Sequence, residues 1–201
     1  MITIWDYEQG STDWHRARLG LITASRVADV LSTGTGRARY MRELAAEVLT
    51  GGVADSYTNA AMQWGTETEP QARAYYELMT GVDVIETGFV TNSDYPGCGI
   101  SPDGMIGDDG LLEAKCPNTT TMVEYLLADK APAKYRHQVQ MQLLITQRHW
   151  CDFMVFDPRI IHGTCYGLWR VERDAPYMKD KLIPGINKFL GELDDMMRKL
   201  R

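Results

Sequence analysis

The hydrophobic pattern reads as helix twice in the first half of the chain, over residues 37–49 and 59–79, with Gly51-Gly52 and Gly81 at the C-terminal ends. Pro70 lies inside the second pattern and predicts either a helix end or the first turn of a new helix. Ahead of both, Thr23 suits the N-cap of a short helix reaching Val30-Leu31, and residues 32–36 form a Gly/Thr-rich loop. Strand signals follow. Residues 82–91 are rich in β-branched side chains, and residues 98–106 and 111–116 read as a hairpin around Gly107-Asp108-Asp109-Gly110. Helices are then expected over 119–127 and 133–145, strands over 150–156 and 164–171, and a terminal helix over 174–201 interrupted near Pro184. This order predicts an α/β fold in which a central mixed β-sheet carries helices on both faces. No repeat, low-complexity run or long linker divides the chain, so residues 1–201 are expected to form one domain.

The hairpin carries the candidate chemistry. Pro102-Asp103 and Glu113-Ala114-Lys115 have the spacing P-D-x9-E-x-K. Side chains alternate faces along a strand, so Glu113 and Lys115 point the same way. Whether Asp103 joins them depends on the turn. A two-residue loop at Asp108-Asp109 pairs Gly104 with Glu113 and puts Asp103 on the wrong face, because a one-residue slip inverts every side chain. A three-residue loop, Asp108-Asp109-Gly110, pairs Met105 with Glu113 and Asp103 with Lys115. That loop needs a left-handed last residue, and Gly110 suits the place. The expected outcome is one shared face for Asp103, Glu113 and Lys115.

Such a face suits phosphodiester hydrolysis. Hard Mg²⁺, or Mn²⁺ in its place, prefers oxygen ligands and keeps several waters. Asp103 and Glu113 supply two oxygens, and the Ala114 carbonyl is a candidate third. A cation there polarises phosphate and acidifies a bound water, while Lys115 orients that water or stabilises the pentavalent transition state. An Asp in a turn and a Glu-x-Lys on a strand are also common surface features, so the spacing alone leaves the matter open.

Composition adds limits. The protein has 201 residues, 44% hydrophobic and 24% charged, as in an ordinary globular domain. No apolar run reaches the roughly 18 residues of a membrane helix, and the first residues lack a signal peptide's basic region and apolar core. A cytoplasmic location without a membrane partner is the expectation. Cys98, Cys116, Cys151 and Cys165 form no C-x-x-C pair, which argues against zinc or iron–sulfur ligation and for reduced thiols. A net charge of -6 disfavours nucleic acid unless basic residues gather locally. They do gather early, at Arg16, Arg18, Arg26, Arg37, Arg39 and Arg42.

Beyond the hairpin, several short motifs recur in order: Glu8-Gln9-Gly10 through Trp14, Arg18-Leu19-Gly20, Ile22-Thr23-Ala24-Ser25, Trp64-Gly65 through Glu69, Ser101-Pro102-Asp103-Gly104, Gly110 through Pro117, Gln138-Val139-Gln140 and Phe156-Asp157-Pro158-Arg159. With these the chain resembles the phage λ exonuclease/YqaJ-type viral recombinase family, within the restriction-endonuclease-like PD-(D/E)xK superfamily. The resemblance spans about four-fifths of the chain, and motif matches of this kind remain hypotheses until structure tests them.

The resemblance implies a 5′-to-3′ exonuclease that degrades one strand of linear double-stranded DNA. It also implies a homotrimer ring and a partner, a single-strand annealing recombinase that loads on the exposed 3′ strand. By the matching motifs, Asp103 and Glu113 bind metal, Lys115 assists the water, Glu69 completes the acidic site and Gln138 borders it. Arg18, Ser25 and Ser101 match positions that hold the 5′-phosphate. Met62 sits where the family places an apolar wedge between strands. Ser25 also suits a local helix cap, Met62 suits core packing, and Glu69 suits an ordinary helix N-terminal carboxylate. The family's basic loop is reduced here to Gly and Thr with Arg37 and Arg39; Arg37 stands as its DNA-binding candidate. A RecB-like endonuclease and a non-catalytic DNA-end-binding module are the alternative readings.

Overall fold

The computed structural model describes residues 1–53 and 60–201. The expected helix start at Asn59 lies outside them. Near the N-terminus two elements appear beyond those read from the sequence. Strand β1 (Ile2–Trp5) pairs antiparallel with β3 (Phe89–Asn92). Helix α1 (Thr12–Arg18) starts at Ser11, whose hydroxyl accepts from the Trp14 amide. The expected helix from Thr23 divides into strand β2 (Ile22–Thr23), a 3₁₀ turn (Ala24–Arg26) and helix α2 (Val27–Leu31). Thr23 makes no side-chain cap there.

Helix α3 (Thr35–Thr50) ends at Gly51, which takes the left-handed conformation with φ of 65°. Helix α4 (Ala60–Thr80) runs through Pro70 without ending. Pro70 is exposed, so the hydrogen bond it removes lies on the solvent side, while Thr68, Ala72 and Tyr76 keep one buried stripe across it. Helices α5 (Thr119–Ala128) and α6 (Arg136–Thr146) match the sequence expectation closely, with a 3₁₀ turn (Ala133–Tyr135) leading into α6. At the C-terminus, a helical turn α7 (Ala175–Tyr177), a π turn (Met178–Leu182) and α8 (Ile183–Leu200) run on without a gap. The expected interruption at Pro184 is absent. The wider π turn makes room for the proline ring that would meet a carbonyl one α-turn back.

The strands form two four-stranded sheets rather than one. The first has the order β1-β3-β4-β2, with β4 at Cys98–Ile100. The second has the order β5-β6-β7-β8, built from Gly104–Ile106, Gly110–Lys115, Trp150–Phe156 and Tyr166–Glu172. Both are mixed: β2 and β4 run parallel, as do β6 and β7. The expected continuous strand over 98–106 breaks at Ser101-Pro102-Asp103, where proline cannot donate to a ladder.

Strands β6 and β7 are buried on both faces, which explains their nearly unbroken apolar run. One face carries Leu111, Cys151, Phe153 and Val155 into the main core with α2, α3, α6 and α8; the other carries Leu112, Ala114, Met154 and Phe156 against Ala72 and Tyr76 of α4. Glu113 therefore projects, by alternation, into the layer covered by α6.

The hairpin register differs from the sequence expectation. Gly104 pairs with Leu112, Met105 with Leu111 and Ile106 with Gly110. The three-residue loop is Gly107-Asp108-Asp109, and Gly107, not Gly110, has positive φ, at 49°. The ladder has moved by two positions. Because strand faces alternate with period two, this displacement preserves the face of every side chain. Gly110 is needed for another reason: a Cβ there would lie 2.2 Å from the Trp150 ring. Arg148 fixes the turn by donating from one nitrogen to the carbonyls of Ile106, Gly107 and Gly110.

This register predicts a difference between two glycines. Gly110→Ala should lower urea-unfolding stability by roughly 1–3 kcal/mol through overpacking. Gly107→Asn should stay within about 1 kcal/mol, since Asn tolerates the left-handed region. The reverse ranking would place the bulge at Gly110 after all.

Candidate active site

The break at Pro102 places Asp103 beside β6. The Asp103 carboxylate accepts the Ala114 amide at 2.7 Å, which fixes it against the strand that carries Glu113 and Lys115. Asp103 is 7% exposed and Glu113 is 0% exposed. Burying an ionised carboxylate is costly unless donors meet it. Glu113 has three. Gln138 donates to Oε1 and Gln142 to Oε2, both at 2.5 Å, and Lys115 pairs with Oε1. The two glutamines stand four residues apart, on one face of α6. Gln142 is wholly buried and its own Oε1 has no hydrogen-bond partner among the described residues.

The charges converge without cancelling. Burial, and then the neighbouring Glu113, push the Asp103 carboxyl well above its usual range, with Lys115 only partly opposing. Burial also raises Glu69, which Lys115 lowers and Glu113 raises again. For Lys115, burial works to lower its pKa, but the charges of Glu113 and Asp103 outweigh it and hold the ammonium protonated. Lys115 is 27% exposed and so reaches solvent at the rim. Arg73, one turn after Glu69 on α4, lies 3.8 Å from the Glu69 carboxylate and donates to the Asp103 carbonyl at 3.1 Å. The sequence signal for Arg73 was its i,i+4 spacing from Glu69.

The donor set fits a hard divalent cation. Only one oxygen of Asp103 accepts a hydrogen bond among the described residues. Three carboxylates against Lys115 and Arg73 still leave an excess of negative charge. Among the described residues no group of three His, Cys, Asp or Glu side chains could hold a metal. A bound ion would therefore use Asp103, Glu113, the Ala114 carbonyl and water, a mixture typical of Mg²⁺.

A second group of predicted residues lines a cleft of about 840 Å³. Arg18, Ser25 and Met62 all border it, with Trp14 and Tyr40. Met62 is 53% exposed, so it is not a core residue. The Arg18 guanidinium stacks on Trp14 at 3.7 Å from the ring centroid, and the same indole donates to Ser101 Oγ at 2.9 Å. Trp14 thus joins Arg18 to the strand segment leading into Asp103. Burial pulls the Arg18 pKa down, and Tyr40 and Glu47 only partly offset it. No carboxylate pairs with Arg18 among the described residues, and the desolvated cation is well placed to accept an anion. Ser25 lies 3.5 Å from the Thr23 hydroxyl.

Arg37 is not part of this group. It binds Glu192 at 2.5 Å and the Val30 carbonyl at 3.2 Å, and it stacks over Phe189, which fastens α3 to α8. Arg26 and Arg39 are likewise paired, to Asp29 and Glu43. Most of the early basic cluster is therefore neutralised within the fold.

The raised Asp103 pKa has a pH consequence in chelator. A carboxyl whose folded pKa lies above its unfolded value favours the folded state when protonated. Stability is then present at low pH and is lost as pH rises from about 4 through the raised value. Asp103→Asn keeps an oxygen for the Ala114 amide and removes the charge. In EDTA at pH 8 it should raise stability by roughly 1–3 kcal/mol, a gap that closes as pH falls. Equal stability of the two proteins at pH 8, measured by thermal unfolding, would contradict the electrostatic assignment.

The sequence model of the YqaJ-like viral recombinase domain matches residues 13–149. An alkaline exonuclease from Laribacter hongkongensis, LHK-Exo, is similar in structure with a TM-score of 0.89 and 43% sequence identity, over 94% of this chain and 96% of that one. The structure of LHK-Exo in complex with dAMP gives a TM-score of 0.90 at the same identity and coverage. A phage-related exonuclease from Haemophilus somnus 129PT matches with a TM-score of 0.65 over 90% of this chain and 96% of that one; at 14% identity this likeness concerns the fold alone. No curated protein sequence matches the chain. Among the described residues no helix is long and apolar enough to cross a membrane. The mixed α/β architecture is restriction-endonuclease-like. With the family match covering the hairpin, the two glutamines and the Arg18 cleft, the chain belongs to the YqaJ-like viral recombinase domain family.

Proposed function

We propose that the protein is a Mg²⁺-dependent 5′-to-3′ exonuclease acting on linear double-stranded DNA and leaving a 3′ single strand. The observation that carries this reading is the buried pair Asp103–Glu113 facing Lys115, with Arg18 stacked on Trp14 in a cleft joined to it through Trp14 and Ser101. The 43% identity to an alkaline exonuclease supports the same class of activity.

Each residue has a distinct task. Arg18 binds a terminal phosphate through its planar fork, with Ser25 and Ser101 as hydroxyl donors. Met62, exposed at the cleft wall, offers an apolar edge against the terminal base pair. Lys115, held cationic by its carboxylate neighbours, orients the attacking water and balances charge at the phosphorus. Gln138 and Gln142 fix Glu113 without neutralising it, since amides donate hydrogen bonds and carry no charge. When bound, Mg²⁺ supplies Lewis-acid activation of phosphate and water. Glu69 lies near enough to hold a proton or a water at the acidic end.

A homotrimer ring, a single-strand annealing recombinase as partner and a cytoplasmic site of action complete the proposal. A ring turns the Arg18 cleft of an acidic subunit toward the substrate. A monomeric mass by light scattering at micromolar protein would overturn the ring.

Linear duplex labelled on one strand should be shortened from its 5′ end with Mg²⁺ and left intact in EDTA. Closed circular duplex should survive; its cleavage would favour the endonuclease reading. Asp103→Asn should abolish cleavage while remaining folded, and retained activity would remove Asp103 from the site. Arg18→Ala should reduce the preference for 5′-phosphorylated over 5′-hydroxyl ends about tenfold or more, the scale of one lost charged hydrogen-bond pair. An unchanged preference would remove Arg18 from phosphate recognition.

A further inference from the structure

Outside the cleft that holds Arg18, another cation stands close to the cleavage site. Lys134 lies in the 3₁₀ turn just ahead of α6, the helix whose Gln138 and Gln142 hold Glu113. Its ammonium lies 4.9 Å from the Tyr135 ring centroid and 5.3 Å from that of Tyr125. The Tyr135 ring is shared: Lys115 Nζ lies 5.7 Å from the same centroid. One phenol ring thus lies within cation–π range of both the catalytic lysine and an exposed second lysine. No residue of this turn borders the Arg18 cleft.

Lys134 also differs from most of the arginines in having no carboxylate partner among the described residues. Arg26, Arg37, Arg39, Arg136, Arg159 and Arg170 all have one. The two phenols attract the ammonium and restrict where it moves, and their hydroxyls hold it protonated, yet as neutral groups they leave its positive charge uncompensated where a carboxylate would cancel it. A cation beside aromatic faces is the arrangement that follows a nucleic-acid strand, with charge on the phosphates and rings available to bases.

We propose that Lys134, steadied by Tyr125 and Tyr135, is a second DNA-backbone contact, binding a phosphate beyond the one being cleaved. It rests on the nuclease reading above and extends it to a site apart from the terminal-phosphate cleft. The contact holds the strand in line with Lys115 after each nucleotide leaves, and it reads charge rather than sequence.

The test compares Lys134→Gln, which keeps most of the length and removes the charge, with Lys134→Arg, which keeps the charge. Steady-state digestion of linear duplex in Mg²⁺ is measured from low to moderate salt. Lys134→Gln should raise KM about five- to tenfold, affect kcat less, and flatten the log–log salt dependence of KM by about one unit, the share of one phosphate contact. Lys134→Arg should stay within about twofold of wild type in both. If Gln disturbs folding, Lys134→Met carries the same comparison with the aliphatic stem retained. Wild-type cleavage with an unchanged KM and salt slope in the charge-free variant would overturn this contact and leave the nuclease reading standing. A wild-type protein that cleaves no DNA would overturn both.

Discussion

A carboxylate with no solvent exposure, on a strand covered on both faces, is the constraint around which this fold is arranged. Burying the Glu113 carboxylate is costly without donors, and solvent supplies none. Two glutamines one helical turn apart and a lysine two residues along the strand meet that need. The same contacts fix α6 over the sheet, set the distance between helix and strand, and bring the 3₁₀ turn with Tyr135 to the rim of the site. Removing one donor would leave a buried charge short of a partner, so packing and site geometry are one requirement.

Glu113 does not stand alone. Asp103, pinned to the Ala114 amide, and Glu69 on α4 add negative charge that Lys115 only partly offsets. Without a cation this arrangement is uncomfortable, as the raised carboxyl of Asp103 records. Neutral amides around Glu113 preserve the field instead of quenching it. Had arginine stood at position 142, the fold would gain an ion pair and the proposed Mg²⁺ site would present a weaker negative field.

The acidic balance of the chain is reconciled with the proposed phosphate-binding role by the distribution of ion pairs. Several arginines of the early cluster fasten helices together. Arg18 is held on an indole with no carboxylate in ion-pair contact among the described residues, and Lys134 sits over two phenols. Net charge is a sum over the surface, whereas attraction of a phosphate depends on where cations stand without an acidic partner close by.

Part of this was legible in the sequence. The long helices, the hairpin and the shared face of Asp103, Glu113 and Lys115 follow from local pattern, because alternation along a strand is a property of the backbone. The face survived a mistaken register for the same reason: an error of two residues leaves every side chain on its side of the sheet. The family motifs marked Glu69, Gln138 and Arg18 as well. Other features were decided by tertiary structure. Pro70 and Pro184 sit inside helical runs because burial on one side and a π turn on the other outweigh a lost hydrogen bond. Gly110 is kept for the Trp150 ring and not for its φ. Arg37 went to Glu192, a partner 155 positions away that no local rule identifies. Local sequence determines periodicity and donor type. Which charges find partners depends on which distant segments meet, and only the folded chain decides that.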